Sequence, residues 1–173
     1  MTDAAARIHR HPIRVYFEDT DAGGMAYHAT YLRWAERART ESLRALGLPH
    51  QEMIDRHRSL LVVRRVEVEY LRPARLDAAL VVETTVLRVT GAQITLDQTV
   101  RGEAGSGQGE VVARLVVGLV CVAEGSLRPV PIPEPWRSAL RGLVSLPEQG
   151  AGTGAGRGAE RIRREPRRPS GDG

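Results

Sequence analysis

The sequence predicts an α+β domain in which an antiparallel sheet of about five strands wraps around one long helix. Three observations predict it. A single long helical stretch, residues 29–46, comes early and is followed by four strand-like runs joined by short turns; strands in succession after a helix form an antiparallel sheet rather than a doubly wound parallel one. The stripe along that helix, Tyr31, Ala35, Ala38, Ser42 and Ala45, is mostly small, so the helix axis can lie close to the sheet. One helix cannot cover both faces of five strands, and a second copy of the same chain is the simplest cover.

Taken in order, residues 1–11 read as a loose leader. His9 and His11 stand two apart there, but two histidines with no third ligand nearby make a poor metal site, and exposed polar tail residues are the plainer reading. Residues 12–17 alternate, with Ile13, Val15 and Phe17 on one side and Arg14 and Tyr16 on the other, the pattern of a half-buried strand. The joint from Glu18 to His28 follows. In the helix after it, Leu32, Leu43 and Leu46 flank the small stripe, and Gly47 with Pro49 forms a stop. A short second helix is expected over residues 51–56. Val66, Val68 and Tyr70 alternate with Arg65, Glu67 and Glu69, and Pro73 ends that strand. Residues 79–89 make the next strand, and Thr90-Gly91 turns the chain. Residues 92–101 then alternate, with Ala92, Ile94, Leu96, Gln98 and Val100 on one face. A glycine-rich loop, 102–109, reads as mobile. Residues 111–122 are apolar on both faces, as in a central strand or one buried in a subunit contact. Residues 129–135 close the sheet region and a short helix, 136–144, caps it. The domain therefore spans 12–144, and residues 145–173, rich in glycine, arginine and proline, read as a disordered tail.

Composition narrows the function. The 173 residues suit one domain with a real core. No apolar run approaches the roughly 20 residues a membrane-spanning helix needs, and the first ten residues lack the apolar stretch of a secretory signal. One cysteine, Cys121, leaves no internal disulfide framework and fits a reducing compartment, so a cytoplasmic location is expected. The net charge is +4 with no lysine, but the arginines are scattered among 21 acids and aromatics make up only 4%. A nucleic-acid partner is not expected on that pattern. There is no G-x-S-x-G elbow, no phosphate-binding loop with its lysine, no C-x-x-C and no H-E-x-x-H. A serine hydrolase, a nucleotide-triphosphate enzyme and a zinc enzyme thus all lack their usual parts, and no cofactor or metal is expected.

The joint carries the remaining chemistry. Between Glu18 and His28 it holds three carboxylates, two adjacent glycines, a tyrosine and a histidine. Asp21 stands before the Gly23-Gly24 bend, where the backbone can approach a ligand closely. Unpaired amides of the first helical turn point at that ligand with the positive end of the helix dipole behind them. Such donors hold a carbonyl oxygen as it gains negative charge, each worth about 3 kcal/mol in the transition state. A carboxylate beside them attacks the carbonyl carbon or deprotonates a water, and His28 suits orienting either group. Together these parts suit acyl transfer to water. The same residues also suit a plain structural role: aspartates before a helix are commonly caps or turn residues, and His28 then is a half-buried histidine with its bonds met.

The run from Val15 to Tyr31, with Glu18-Asp19-Thr20-Asp21-Ala22-Gly23-Gly24 at its centre, and then Glu36-Arg37-Ala38-Arg39-Thr40-Glu41, resembles the signature of the Tol–Pal-associated acyl-CoA thioesterases. These are hotdog-fold proteins of the 4-hydroxybenzoyl-CoA thioesterase group. Glu67-Val68-Glu69-Tyr70 and Pro73-Ala74-Arg75-Leu76-Asp77 resemble a second block of the family. The likeness covers roughly residues 12–135. It implies a hotdog fold in homodimers or homotetramers with active sites between subunits. It implies hydrolysis of acyl-CoA, and acyl carrier protein is a second candidate partner. Asp21 matches the nucleophile or general base and His28 the second site residue, with Gly24, Met25 and Tyr27 beside the substrate. Two departures stand out: Phe17 lacks the hydroxyl of the second tyrosine common in relatives, and Met25-Ala26 replace valine or isoleucine. Arg64, Arg65, Arg72, Arg75 and Arg88 are the candidates for the CoA phosphates. A non-catalytic acyl-CoA or acyl-carrier-protein binding module is the alternative, though a pure binder needs neither Asp21 nor His28. A hotdog dehydratase is a third reading, and it wants its histidine and acid on different elements.

Overall fold

The computed structural model describes residues 7–103 and 109–144. Strand β1 (Ile8–Arg14) leads through a 3-10 turn at Phe17–Asp19 and the acidic joint into helix α1 (Thr30–Ala45). A short α2 (His50–His57) follows, then β2 (Ser59–Tyr70), β3 (Ala79–Val89), β4 (Gln93–Gly102) and β5 (Val111–Ala123), and α3 (Trp136–Gly142) closes the described chain. All strand pairs are antiparallel and the order across the sheet is β1-β3-β4-β5-β2. This is the hotdog arrangement that the strand count and the single long helix predict.

The core lies between α1 and one face of the sheet. From the sheet come Val82, Val86, Leu96, Val100, Leu115 and Val117; from the helix come Tyr31, Trp34, Ala35 and Ala38. Ala35 and Ala38 are fully buried, so the small stripe does bring the helix axis down onto the strands. Gln98, also fully buried, ties the two layers. Its amide nitrogen donates to the Ala35 carbonyl (3.0 Å) and to the Thr84 hydroxyl (2.9 Å), and its Oε1 accepts from Arg39 Nη1 (2.9 Å). Trp136 seals one end, donating from its indole nitrogen to the Leu48 carbonyl at 2.9 Å. Gly47 takes a φ of +71° directly after α1, the left-handed stop expected of a glycine there.

Several expectations need correction. The first strand begins at Ile8, not at residue 12, so His9 and His11 are strand residues and half-buried rather than exposed tail. Their alternation with Ile8 and Arg10 continues the period of two through Pro12 into Ile13. At the other end the strand stops at Arg14, and Phe17 is 82% exposed rather than part of the buried face; the 3-10 turn rotates it outward. On α1 the buried ridge includes Trp34, while Ala45 and Leu46 at the end of the stripe are exposed. Strand β5 does lie inside the sheet, but Arg114 and Val116 on its second face are exposed. The first six leader residues, residues 104–108 of the glycine-rich loop and the tail 145–173 lie outside the described residues. Among the described residues no helix is long and apolar enough to cross a membrane.

Candidate active site

The joint divides its carboxylates between structure and solvent. Asp19 is 2% exposed, and its Oδ2 accepts from the Tyr16 amide at 3.0 Å, closing the 3-10 turn. Its carbonyl accepts the Tyr27 amide (2.8 Å) and the Thr30 hydroxyl (3.3 Å), which fastens the joint to the start of α1. Thr20 spends its hydroxyl on the Phe17 carbonyl at 2.8 Å. Asp19 and Thr20 thus hold the 3-10 turn, and neither caps α1.

Asp21 is exposed and does not cap α1. It sits in a small loop closed by its own amide to the Met25 carbonyl (2.9 Å) and by the Gly24 amide to its carbonyl (3.0 Å). Its Oδ1 accepts the Gly23 amide at 2.8 Å, an Asx turn, and Oδ2 has no partner among the described residues. Gly24 holds φ at +67° with open space where a Cβ would be, so a side chain there would be strained while the backbone lies bare. The residue at helix position N-cap is Ala29, which offers no side-chain acceptor. The amides of Met25, His28 and Ala29 meet no acceptor among the described residues.

His28 and Tyr27 are exposed, their rings 4.2 Å apart between centroids. Met25 is exposed and bridges in the backbone to Arg75, and the Ala26 amide donates to the Ala74 carbonyl at 2.8 Å. The start of the helix is therefore laid against the loop after β2. Two tyrosines that sequence reasoning passed over complete this seam. Tyr70 donates its hydroxyl to the His28 carbonyl at 2.8 Å, and the Tyr31 oxygen accepts the Ala74 amide at 3.2 Å. Their rings meet edge to face at 5.2 Å. Burial pushes both phenols above the ordinary value, so both carry their protons at neutral pH. The signal for Tyr70 lay in its place at the end of β2, where its hydroxyl reaches back 42 residues.

The site residues Asp21, Gly24, Met25, Tyr27 and His28 thus share one exposed corner at the N-terminal end of α1. A partly open cavity lies elsewhere. It has a volume of about 630 Å³ and sits at the C-terminal half of α1, and neither Asp21 nor His28 lines it. Of the arginines considered for phosphates, Arg65 pairs with Glu67 (2.6 Å) and Arg72 with Glu110 (3.3 Å), while Arg64, Arg75 and Arg88 make no ion pair among the described residues. No group of three metal-ligating side chains gathers among the described residues.

Comparison with known proteins follows the same geography. The sequence pattern of the thioesterase-like superfamily matches residues 15–140. The acyl-CoA thioesterase YbgC of Haemophilus influenzae is 39% identical over 132 residues, covering 76% of this chain and 93% of its own. The 1,4-dihydroxy-2-naphthoyl-CoA hydrolase of Synechocystis is 26% identical over 127 residues, 73% of this chain and 90% of that one. Among solved structures, a probable thioesterase from Bartonella henselae superposes with a TM-score of 0.66 at 29% identity, over 73% of this chain and 99% of its own.

Proposed function

The chain belongs to the thioesterase-like superfamily, and we propose that it hydrolyses acyl-CoA to the free acid and CoA with Asp21 as the reacting carboxylate. The observation that carries this is the division of labour at the joint: the buried Asp19 holds the Tyr16 amide, while Asp21 spends one oxygen on the Gly23 amide and keeps the other open on the exposed corner that leads into the helix start. A thioester lying across that corner has its carbonyl oxygen on the His28 and Ala29 amides, where the helix dipole favours the developing negative charge. Asp21 then takes the proton of an attacking water, or itself adds to the carbon and forms an anhydride that water opens. In either case the C–S bond breaks, the sulfur leaves as the CoA thiolate, and the acyl carbon gains the oxygen of water. His28 orients the thioester, and the exposed faces of Gly24, Met25 and Tyr27 line its path. Arg75, without an ion pair among the described residues and bridged in the backbone to Met25, is the arginine best placed for a CoA phosphate.

The working form is a pair of chains. Strand β2 is a 12-residue strand at the edge of the sheet, with no strand on its outer side among the described residues, and Val63 on it is 50% exposed; an edge of that length invites pairing with a second copy. On this reading the catalytic domain runs from β1, which begins at Ile8, through residue 144. The test is thiol release from acyl-CoAs of increasing chain length and one aromatic acyl-CoA. Saturable release from at least one is expected. Tight binding across the series with no release would overturn the assignment.

A further inference from the structure

Neither Asp21 nor His28 lines the cavity beside the C-terminal half of α1. Its walls are mainly apolar, with Leu43, Leu61, Val86 and Leu96 among them, and its volume is that of a small-molecule site. Yet four basic side chains also line it: Arg7 just before β1, His9 from β1, Arg39 from α1 and His50 from α2. Their hydrogen-bonding capacity is largely unspent. Arg39 makes one bond, from Nη1 to Gln98 Oε1, and no ion pair among the described residues. His9 Nδ1 is buried without a partner among the described residues, and the His50 ring makes no hydrogen bond among them. The one acid on the wall, Glu36, already accepts from the Thr40 hydroxyl at 2.9 Å. The cavity therefore offers unused donors set in an apolar box.

We propose that this cavity binds an aliphatic carboxylate, its chain between Leu43, Leu61 and Leu96 and its carboxylate on the Arg39 guanidinium beside His9 and His50. A planar guanidinium with free N–H groups matches a carboxylate in two bonds, and an alkyl chain matches the walls. The charge count points the same way. Burial lowers the pKa of both histidines, helped at His9 by His11 against Glu41, and at His50 by Arg39 and Arg44 against Glu36. With both rings neutral, the wall carries two cations, Arg7 and Arg39, and one acid, Glu36, and the net single positive charge suits a monoanion better than a phosphate. The carboxylate has two possible sources: the far end of a dicarboxylic acyl group still joined to CoA, or a free fatty acid of the kind that thioester hydrolysis releases. Only the identification of those sources rests on the thioesterase reading of Asp21.

Calorimetry with decanoate and with 1-decanol, the same chain without the charge, tests the site directly. Decanoate is expected to bind at least tenfold more tightly than decanol, a comparison that needs no variant to fold. Arg39→Met is expected to weaken decanoate at least tenfold and leave decanol unchanged, and Ala45→Phe, on the cavity wall, to weaken both. Equal affinities for the two probes, no binding of either, or decanoate affinity unchanged in Arg39→Met would overturn the proposal. Turnover separates the sources. At least tenfold higher kcat/KM for the ω-carboxyacyl thioester than for decanoyl-CoA, lost in Arg39→Met, identifies the substrate's far end. Equal kcat/KM with selective decanoate binding identifies the free acid. Selective decanoate binding in a protein that cleaves no thioester would sink the thioesterase reading and keep this one.

Discussion

Two aspartates two residues apart do opposite work here. Asp19 is buried and holds the Tyr16 amide, so Asp19→Ala strands a backbone donor and is expected to cost about 1–3 kcal/mol in denaturant unfolding. Asp21→Asn keeps an oxygen for the Gly23 amide and is expected to leave the unfolding midpoint unchanged; a loss as large as that of Asp19→Ala would move Asp21 to the structural side. Tyr70→Phe removes the one side-chain hold on the His28 carbonyl among the described residues. It is expected to lower kcat for thiol release several-fold with a smaller effect on KM, because the helix-start amides it positions serve the transition state. At this scale the sequence was legible in kind but not in assignment. Three acids in four residues marked the corner, yet nothing in their order says which one turns inward. Phe17 was misread for a related reason: a period of two looks the same whether the strand continues or turns at Tyr16.

Periodicity served the elements well wherever one face is buried throughout. The stripe through Ala35 and Ala38 and the alternation through Ile94, Leu96, Gln98 and Val100 are both found in the core. Gln98 was placed on the apolar face, and the structure supplies the reason it tolerates being there: it bonds helix, neighbouring strand and Arg39 together. Gln98→Leu keeps the volume but strips those partners, and a loss of about 1–3 kcal/mol in denaturant unfolding is expected. An unchanged midpoint would mean the network is idle. Element ends were less legible. β2 starts at Ser59 because Leu60 to Val63 form an unbroken apolar run, which has no alternation to read. The cavity was not legible at all, since His9, Arg39 and His50 come from three elements and meet only once the sheet curls around α1.

For the molecule as a whole, charge and assembly carry the predictions. Burial depresses the pKa of His9 and His50 from the ordinary 6.5. The unfolded chain then binds more protons than the folded one below that value, so stability is full above about pH 6.5 and falls as the pH drops through it. Denaturation midpoints at pH 7.5 and 5.5 are expected to show the decline, with a shallower slope in His50→Leu; a midpoint that is flat over that range would contradict it. Light scattering is expected to give a multiple of the 19.0 kDa chain mass, in keeping with the bare edge of β2, and a fully active monomer would remove the second copy from the account. The claim beneath all of this is that one solvent-facing carboxylate beside a bare helix start breaks a thioester. Thiol release by the intact protein and by Asp21→Asn, on the best acyl-CoA and at matched unfolding midpoints, tests it most directly. A fall in kcat of about 100-fold or more is expected; equal rates from the two proteins would contradict it.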